Sequence, residues 1–233
     1  MGSANLVCIM GSLCKEPNLR ITPSGHHVCD LLVAVNRKSG VADYLPVIVW
    51  DEDAVACERS LKTSSLVHVL GRLSSRNYEK PGGSRHVAIE VISSKITFLS
   101  AARAGGHKNA NMILLMGNLC REPSLRATSA GKMISDLIVA VDRKTGGTDY
   151  LPVICWNKDA ESCGQHLYTG ALVHVKGILT SRNYERADGS RHVAIEVSAQ
   201  EIEFLGGAAR REGRDPRDTD LQDRTRGEMA SRA

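Results

Sequence analysis

The sequence predicts an all-β protein built as two tandem copies of one small barrel, each with five strands and one short helix. Three observations carry that expectation. The chain of 233 residues repeats itself at a constant offset of 106, so that Gly11 falls on Gly117, Pro17 on Pro123, Gly25 on Gly131 and Phe98 on Phe204. Between residues 66–91 and 172–197, 20 of 26 positions are identical. A period this long is no solenoid repeat, and it matches an ordinary domain size. Apolar residues alternate over short runs bounded by turn residues, which is the pattern of half-buried strands. Helical spacing occurs once per copy.

In the first copy, "NLVCIMGSL" reads as a strand ending near Gly11, and "HHVCDLLVAVNRK" as a second strand running to a turn at "SGVAD". "YLPVIVW" is the third, "DEDAVACERSLK" a short helix with acids in its first turn, and "SLVHVLGRLSSR" the fourth. A hairpin tipped by "KPGG" leads into "RHVAIEVISSKITFL", the fifth. Five strands with a helix between the third and fourth is the order of an OB-fold, a small Greek-key barrel. A sandwich would want about seven strands and no helix. The expected organisation is an OB domain at 1–99, a small and polar linker at 100–110, a second OB domain at 111–205, and a tail at 206–233. That tail carries seven Arg against six acids and almost nothing apolar, so it reads as disordered.

Composition, at 42% hydrophobic and 24% charged, is that of a soluble protein with a core. No apolar run reaches the roughly 18 to 20 residues of a membrane span, and "MGSANLVCIMG" lacks the basic and long apolar regions of a signal peptide, so a cytoplasmic location and no membrane partner are expected. Seven cysteines without a CxxC pair read as reduced thiols packing as small apolar groups. Cys8, Cys29 and Cys155 face Leu114, Ser135 and Val49 in the other copy, which no metal site would tolerate. Cys14 with Cys120 and Cys57 with Cys163 persist without a spaced partner and read as buried. His68, His86, His174 and His192 read as packing or rim residues. No GxSxG, P-loop, HExxH or dinucleotide fingerprint is present, and Glu90 and Glu196 are matched but solitary acids. Neither an enzyme, a cofactor nor a metal is expected.

Formal charge is only +4, too small by itself to establish a polyanion partner. Placement says more. Of nine aromatics, eight form four matched pairs: Tyr44 with Tyr150, Trp50 with Trp156, Tyr78 with Tyr184, and Phe98 with Phe204. Strand alternation puts Tyr44, Pro46, Ile48 and Trp50 on one face and the aliphatic Leu45, Val47 and Val49 on the barrel side. Pro46 cannot donate to a ladder, so part of this strand should be an edge or bulged. Trp50 and Trp156 read as outward, against a competing reading as core, whereas Phe98 and Phe204 read as core. Tyr78 stands in a hairpin arm beside Arg76, Asn77 and Lys80. Cationic candidates are Arg20, Arg37, Lys38, Arg72, Arg76, Lys80 and Arg85, with counterparts Arg126, Arg143, Lys144, Ile178, Arg182, Arg186 and Arg191. Aromatic platforms for bases beside a cationic track for phosphates are the parts of a single-strand nucleic-acid surface. Residues 1–99 hold 11 basic and 9 acidic residues and 107–205 hold 11 and 11, so the first copy is expected to contribute more of the salt-sensitive affinity.

The runs "MGSLCKEPNLRITPSGHHVCDLLVAVNRK", "DYLPVIVWDEDA" and "LVHVLGRLSSRNYEKPGGSRHVAIEV" resemble the bacterial single-stranded DNA-binding proteins, and the second copy matches through "MGNLCREPSLRATSAGKMISDLIVAVDRK" and its hairpin. The resemblance covers about 195 of 233 residues. It implies sequence-independent binding and protection of single-stranded DNA in replication, recombination or repair, in the bacterial cytoplasm at the nucleoid. Stacking positions then fall on Tyr44, Trp50, Tyr78, Tyr150, Trp156 and Tyr184. Two domains in one chain imply a homodimer with four OB domains. The chain ends "RGEMASRA" rather than in an acidic, phenylalanine-ending tip, which leaves the family's tail-mediated recruitment of replication and repair enzymes without its sequence basis. Alternative readings are a primosome-type accessory protein acting mainly through protein contacts, and a single-stranded RNA binder.

Overall fold

The structure, a computed structural model, describes residues 3–37, 39–79, 85–100, 109–185 and 191–206. The first half contains β1 (Ala4–Leu13), β2 (Asn18–Ile21), β3 (His27–Asn36), β4 (Ala42–Trp50), α1 (Asp51–Ser60), β5 (Leu66–Glu79) and β6 (Arg85–Leu99). The second repeats the order with β7 (Ala110–Leu119), β8 (Ser124–Ala127), β9 (Met133–Asp142), β10 (Thr148–Trp156), α2 (Asn157–His166), β11 (Leu172–Glu185) and β12 (Arg191–Gly206). These are two tandem OB-folds. Most of the expected linker and tail, 101–108 and 207–233, lies outside the described residues.

Each half has one strand more than the five expected. β2 and β8 are four-residue strands along β3 and β9, and they are the addition. Their residues are mostly exposed, so no apolar alternation marks them. Cross-strand ion pairs hold them instead: Arg20 Nε to Asp30 Oδ2 at 2.8 Å, and Arg126 Nε to Asp136 Oδ2 at 2.7 Å.

Closure of each barrel needs β1 to meet β3, which it does at Ser12 opposite Ala34 and Leu13 opposite Val33. At that crossing a Cβ on Gly11 would collide with the Ala34 carbonyl oxygen, and one on Gly117 with that of Ala140. Glycine is therefore required for the backbones to approach. Inside lie Val7, Ile9, Val33, Leu45, Val47, Val69 and Leu73, all fully buried, and the second half repeats the arrangement. The helices bury only small residues, Ala54 with Cys57 and Ala160 with Cys163, which lets them lie close against the barrel. Burial pushes the Cys29 thiol up to about 11 and the Cys57 thiol up to about 12. Hydrogen bonding to Cys163, with burial, pushes Cys155 up as well. Of the four thiols expected to be buried, Cys57 and Cys163 are, whereas Cys120 is exposed and Cys14 only half-buried; Cys29 and Cys155 are buried as well.

Where the two halves meet was not legible as a contact. β3 covers β1 only at its end, so the stretch from Ala4 to Met10 has an open edge, and β7 is left open in the same way by β9. Open edges pair readily with other strands. Here they pair with each other, antiparallel, from Ala4 opposite Met116 to Met10 opposite Ala110, which merges both barrels into one 12-stranded sheet.

Candidate nucleic-acid interface

β4 meets β6 in parallel over only Val47 opposite Val91 and Ile48 opposite Ile92, so its earlier part has an edge free of β6, as Pro46 suggested. Alternation along the strand is as expected: Leu45, Val47 and Val49 are buried, while Tyr44 is 47% and Trp50 41% exposed. Tyr150 and Trp156 are 53% and 39% exposed, which disposes of the core reading for both tryptophans. Ile48, on the outward side, is nonetheless buried. Phe98 packs on the core as expected; Phe204 does not, being exposed with its ring 6.4 Å from that of His166.

The hairpin arms are extensions of β5–β6 and β11–β12 beyond the barrels, paired out to Glu79 opposite Arg85 and Glu185 opposite Arg191. Where each arm leaves its barrel, an asparagine completes the ladder. Asn5 donates to the Leu73 carbonyl at 2.7 Å and accepts from the Leu73 N–H at 2.8 Å, and Asn111 does the same with Leu179. On the arm, the Arg76 guanidinium lies 5.6 Å from the centre of the Tyr78 ring, and that of Arg182 lies 5.5 Å from Tyr184. The cation steadies the ring from the side. Glu90 and Glu196, the solitary acids of the sequence, hold those arginines at 3.1 and 2.9 Å. His86, buried, stacks on Tyr78 with centroids 5.5 Å apart.

The arginine candidates among the described residues do not stand free. Arg20 pairs with Asp30, Arg126 with Asp136, Arg37 with Asp43, and both Arg72 and Arg143 with Asp149. Lys144 is exposed. Lys38, Lys80 and Arg186 lie outside the described residues, as do the side chains of Arg85 and Arg191.

Asp43 and Asp149 are buried acids that sequence reasoning passed over, and they join the halves. The Asp43 carboxylate accepts from Arg37 Nε at 2.7 Å and from the Ser181 N–H of the other half at 2.7 Å. Ser181 Oγ in turn accepts the Tyr44 N–H at 2.8 Å, occupying the open edge of β4. Asp149 accepts from Arg143 Nε at 2.9 Å, Ser75 N–H at 2.7 Å, Ser74 Oγ at 2.9 Å and Arg72 Nη1 at 3.1 Å, while Ser75 Oγ accepts the Tyr150 N–H at 2.8 Å. Burial alone would raise the Asp149 carboxyl; bonds from Arg143, Ser75 and Ser74 outweigh it and hold the group below its ordinary range. One signal was available: Asp43 has the parity of Leu45 and Val47, the barrel side.

These contacts bring the aromatic surfaces together in one groove of about 1290 Å³, lined from both halves by Tyr44, Trp50 and Tyr78 and by Tyr150 and Tyr184. Trp156 does not line it; its Nε1 donates to Ser198 Oγ at 3.3 Å. Open, aromatic and edged by paired arginines, the groove suits flat rings on a charged backbone. Among the described residues no group of three His, Cys, Asp or Glu is placed to hold a metal ion.

Comparison with known proteins gives one answer. The model of the single-strand binding protein family matches residues 4–99 and again 110–205. A single-stranded DNA-binding protein of Clostridium tetani is 35% identical over 101 residues, covering 41% of this chain and 70% of that protein. One from Deinococcus radiodurans is 27% identical over 231 residues, covering 88% and 76%. The crystal structure of the wild-type single-stranded DNA binding protein from Thermus aquaticus superposes with a TM-score of 0.73 at 28% identity, over 91% of this chain and 98% of that one.

Proposed function

The chain belongs to the single-strand binding protein family, and on that premise we propose that it binds single-stranded DNA without strong sequence preference, laying the strand along the groove its two OB-folds share. The action is binding alone. The observation that carries this reading is that five of the six candidate stacking residues, from both halves, line a single groove. Bases stack on Tyr44, Trp50, Tyr78, Tyr150 and Tyr184, with Trp156 as an outlying platform, at about 1 to 3 kcal/mol per base. Phosphates are met by Arg20, Arg37, Lys38, Arg72, Arg76, Lys80 and Arg85 and by Arg126, Arg143, Lys144, Arg182, Arg186 and Arg191. We assign the OB domains to 1–99 and 111–205, with 100–110 as linker and 206–233 as tail, and we place the protein in bacterial DNA replication, recombination or repair.

Titration with oligo-dT at low and high salt, following tryptophan emission, tests the central claim. Quenching and tight binding that weakens with salt are expected; an unchanged emission or equal affinity for duplex would overturn it. Competition with RNA of the same sequence checks the preference for DNA.

The chain also acts as a homodimer on this reading. Along the joined β1 and β7, the outward side carries exposed Leu6 and Met112, in register with Leu114 and Cys8, an apolar strip suited to a second copy. Sedimentation should give twice the monomer mass and Leu6→Glu with Met112→Glu should halve it. A parent that sediments as a monomer excludes the dimer.

A further inference from the structure

We infer that Asp43 and Asp149 are positioning residues that lock each half's stacking strand to the other half's hairpin arm, so that the groove works as one surface rather than two. The inference rests on reading the groove as a DNA surface. Each aspartate is fully buried in a strand whose free edge faces the partner half. A buried carboxylate is tolerated only where donors satisfy it, and donors here come from two directions. Arg37 or Arg143, six residues before the acid, binds from the same half. The Ser181 or Ser75 N–H binds from the base of the opposite arm. The serine then closes the loop by taking the amide of Tyr44 or Tyr150, the residue after the acid. One carboxylate thereby fixes a stacking tyrosine of its own half relative to the arm that carries Arg182 and Tyr184, or Arg76 and Tyr78, of the other.

The two locks are unequal. Asp149 receives Arg72 and Ser74 from across the junction. Asp43 has Ile178 at the place of Arg72, and Thr180, at the place of Ser74, donates to the Glu196 carbonyl instead. The lock between Tyr150 and the first arm is therefore the stronger.

Its functional content is avidity. A strand long enough to cross the junction gains from both halves only if their spacing is fixed, whereas one short enough for a single OB-fold does not use the junction. Affinity for oligo-dT of about 8 and about 30 nucleotides, the first within and the second beyond the span of one OB-fold, should be measured on the full chain and on Asp149→Asn and Asp43→Asn. The ratio of long to short affinity should fall about tenfold for Asp149→Asn and about threefold for Asp43→Asn. An unchanged ratio, or equal loss at both lengths as a merely weakened fold would give, overturns the inference. Should Asp149→Asn fail to fold, Ser75→Ala, which leaves the Arg143 pair in place, must lower the same ratio. Hydrogen exchange without DNA supplies an independent reading: the Tyr150 amide should exchange faster in Asp149→Asn and the Tyr44 amide in Asp43→Asn. Unaltered exchange also overturns the lock. A parent that binds neither length would instead sink the DNA reading, and exchange would still decide whether the lock exists.

Discussion

In the first half Trp50 lies edge-on to His26, with centroids 6.3 Å apart, and His26 Nδ1 is hydrogen-bonded to Asp51 at 3.0 Å. In the second half those neighbours are Lys132 and Asn157, and Trp156 is tied to Ser198 outside the shared groove. Farther along, Arg72 corresponds to Ile178, and Cys8, 3.3 Å from His68 Nε2, corresponds to Leu114. Against these differences stand positions that are the same in both copies: Gly11 and Gly117, Asn5 and Asn111, Asp43 and Asp149. Each of those steers the backbone, at a crossing, at the root of an arm, or at the junction. Asp51 and Asn157 show the division within one site. Both hold the left-handed conformation, φ 52° and 53°, that turns the chain sharply from strand into helix, and both are residues that tolerate it, yet only one is charged. Geometry is repeated and charge is varied, so the halves present one framework with unequal chemistry.

The largest effects should leave the halves alike. Gly11→Ala and Gly117→Ala each force a Cβ into a carbonyl of the closing strand, at a cost of about 3 kcal/mol. Urea unfolding should show comparable losses, and a loss confined to one half would break the comparison at its root. Next, the halves should separate. Trp50→Ala should weaken oligo-dT binding by about 2 kcal/mol and Trp156→Ala by about half as much, since only Trp50 lines the groove. Equal losses in titrations of the two variants would mean that the strand reaches beyond the groove.

Much of this was legible because alternation in "YLPVIVW" fixes which residues face the barrel, and a repeat doubles every observation. The parallel ladder, the extra strands and the junction were not. β2 and β8 pair through exposed arginines with half-buried acids on the next strand, which leave no periodic trace. The pairing of β1 with β7 follows from how little of each strand its neighbour covers, and that is a property of the closed barrel. Arginines read as phosphate ligands proved to be bound to carboxylates on a neighbouring strand or across the junction, and spacing alone cannot reveal a partner across a fold. Asp43 and Asp149 show the reverse case, where an acid at core parity marked a structural contact that a search for chemistry overlooked.

A smaller effect concerns pH. Asp149 lies below its ordinary 3.8 because Arg143, Ser75 and Ser74 bind its charged form against the cost of burial, with Arg72 facing it as well. A carboxyl whose folded value is depressed stabilises the fold fully above its unfolded value, and that contribution disappears as pH falls through the folded one. The stability difference between parent and Asp149→Asn should therefore be constant from neutral pH to about 4 and shrink only below it. Thermal unfolding across that range checks the sign, and a difference that shrinks between pH 7 and 5 would mean that Asp149 is not the group responsible.

The smallest expected effect bears on charge. Because Arg76 and Arg182 are already held by Glu90 and Glu196, a phosphate must displace a carboxylate to reach either one, and the exchange releases fewer counterions than a free cation would. The parent should therefore show a shallower salt dependence than its number of groove arginines implies. Glu90→Gln leaves Arg76 unneutralised, and the slope of log affinity against log salt should steepen by about 0.7, the value for one further phosphate contact on a single strand. Glu196→Gln should do the same through Arg182. If the first half dominates the ionic part of binding, as its smaller number of acids suggests, Glu90→Gln will show the full change and Glu196→Gln less. Equal slopes would place the inequality of the halves in Trp50 and Arg72 alone, and no change in either would mean that the arm arginines orient Tyr78 and Tyr184 without meeting phosphate.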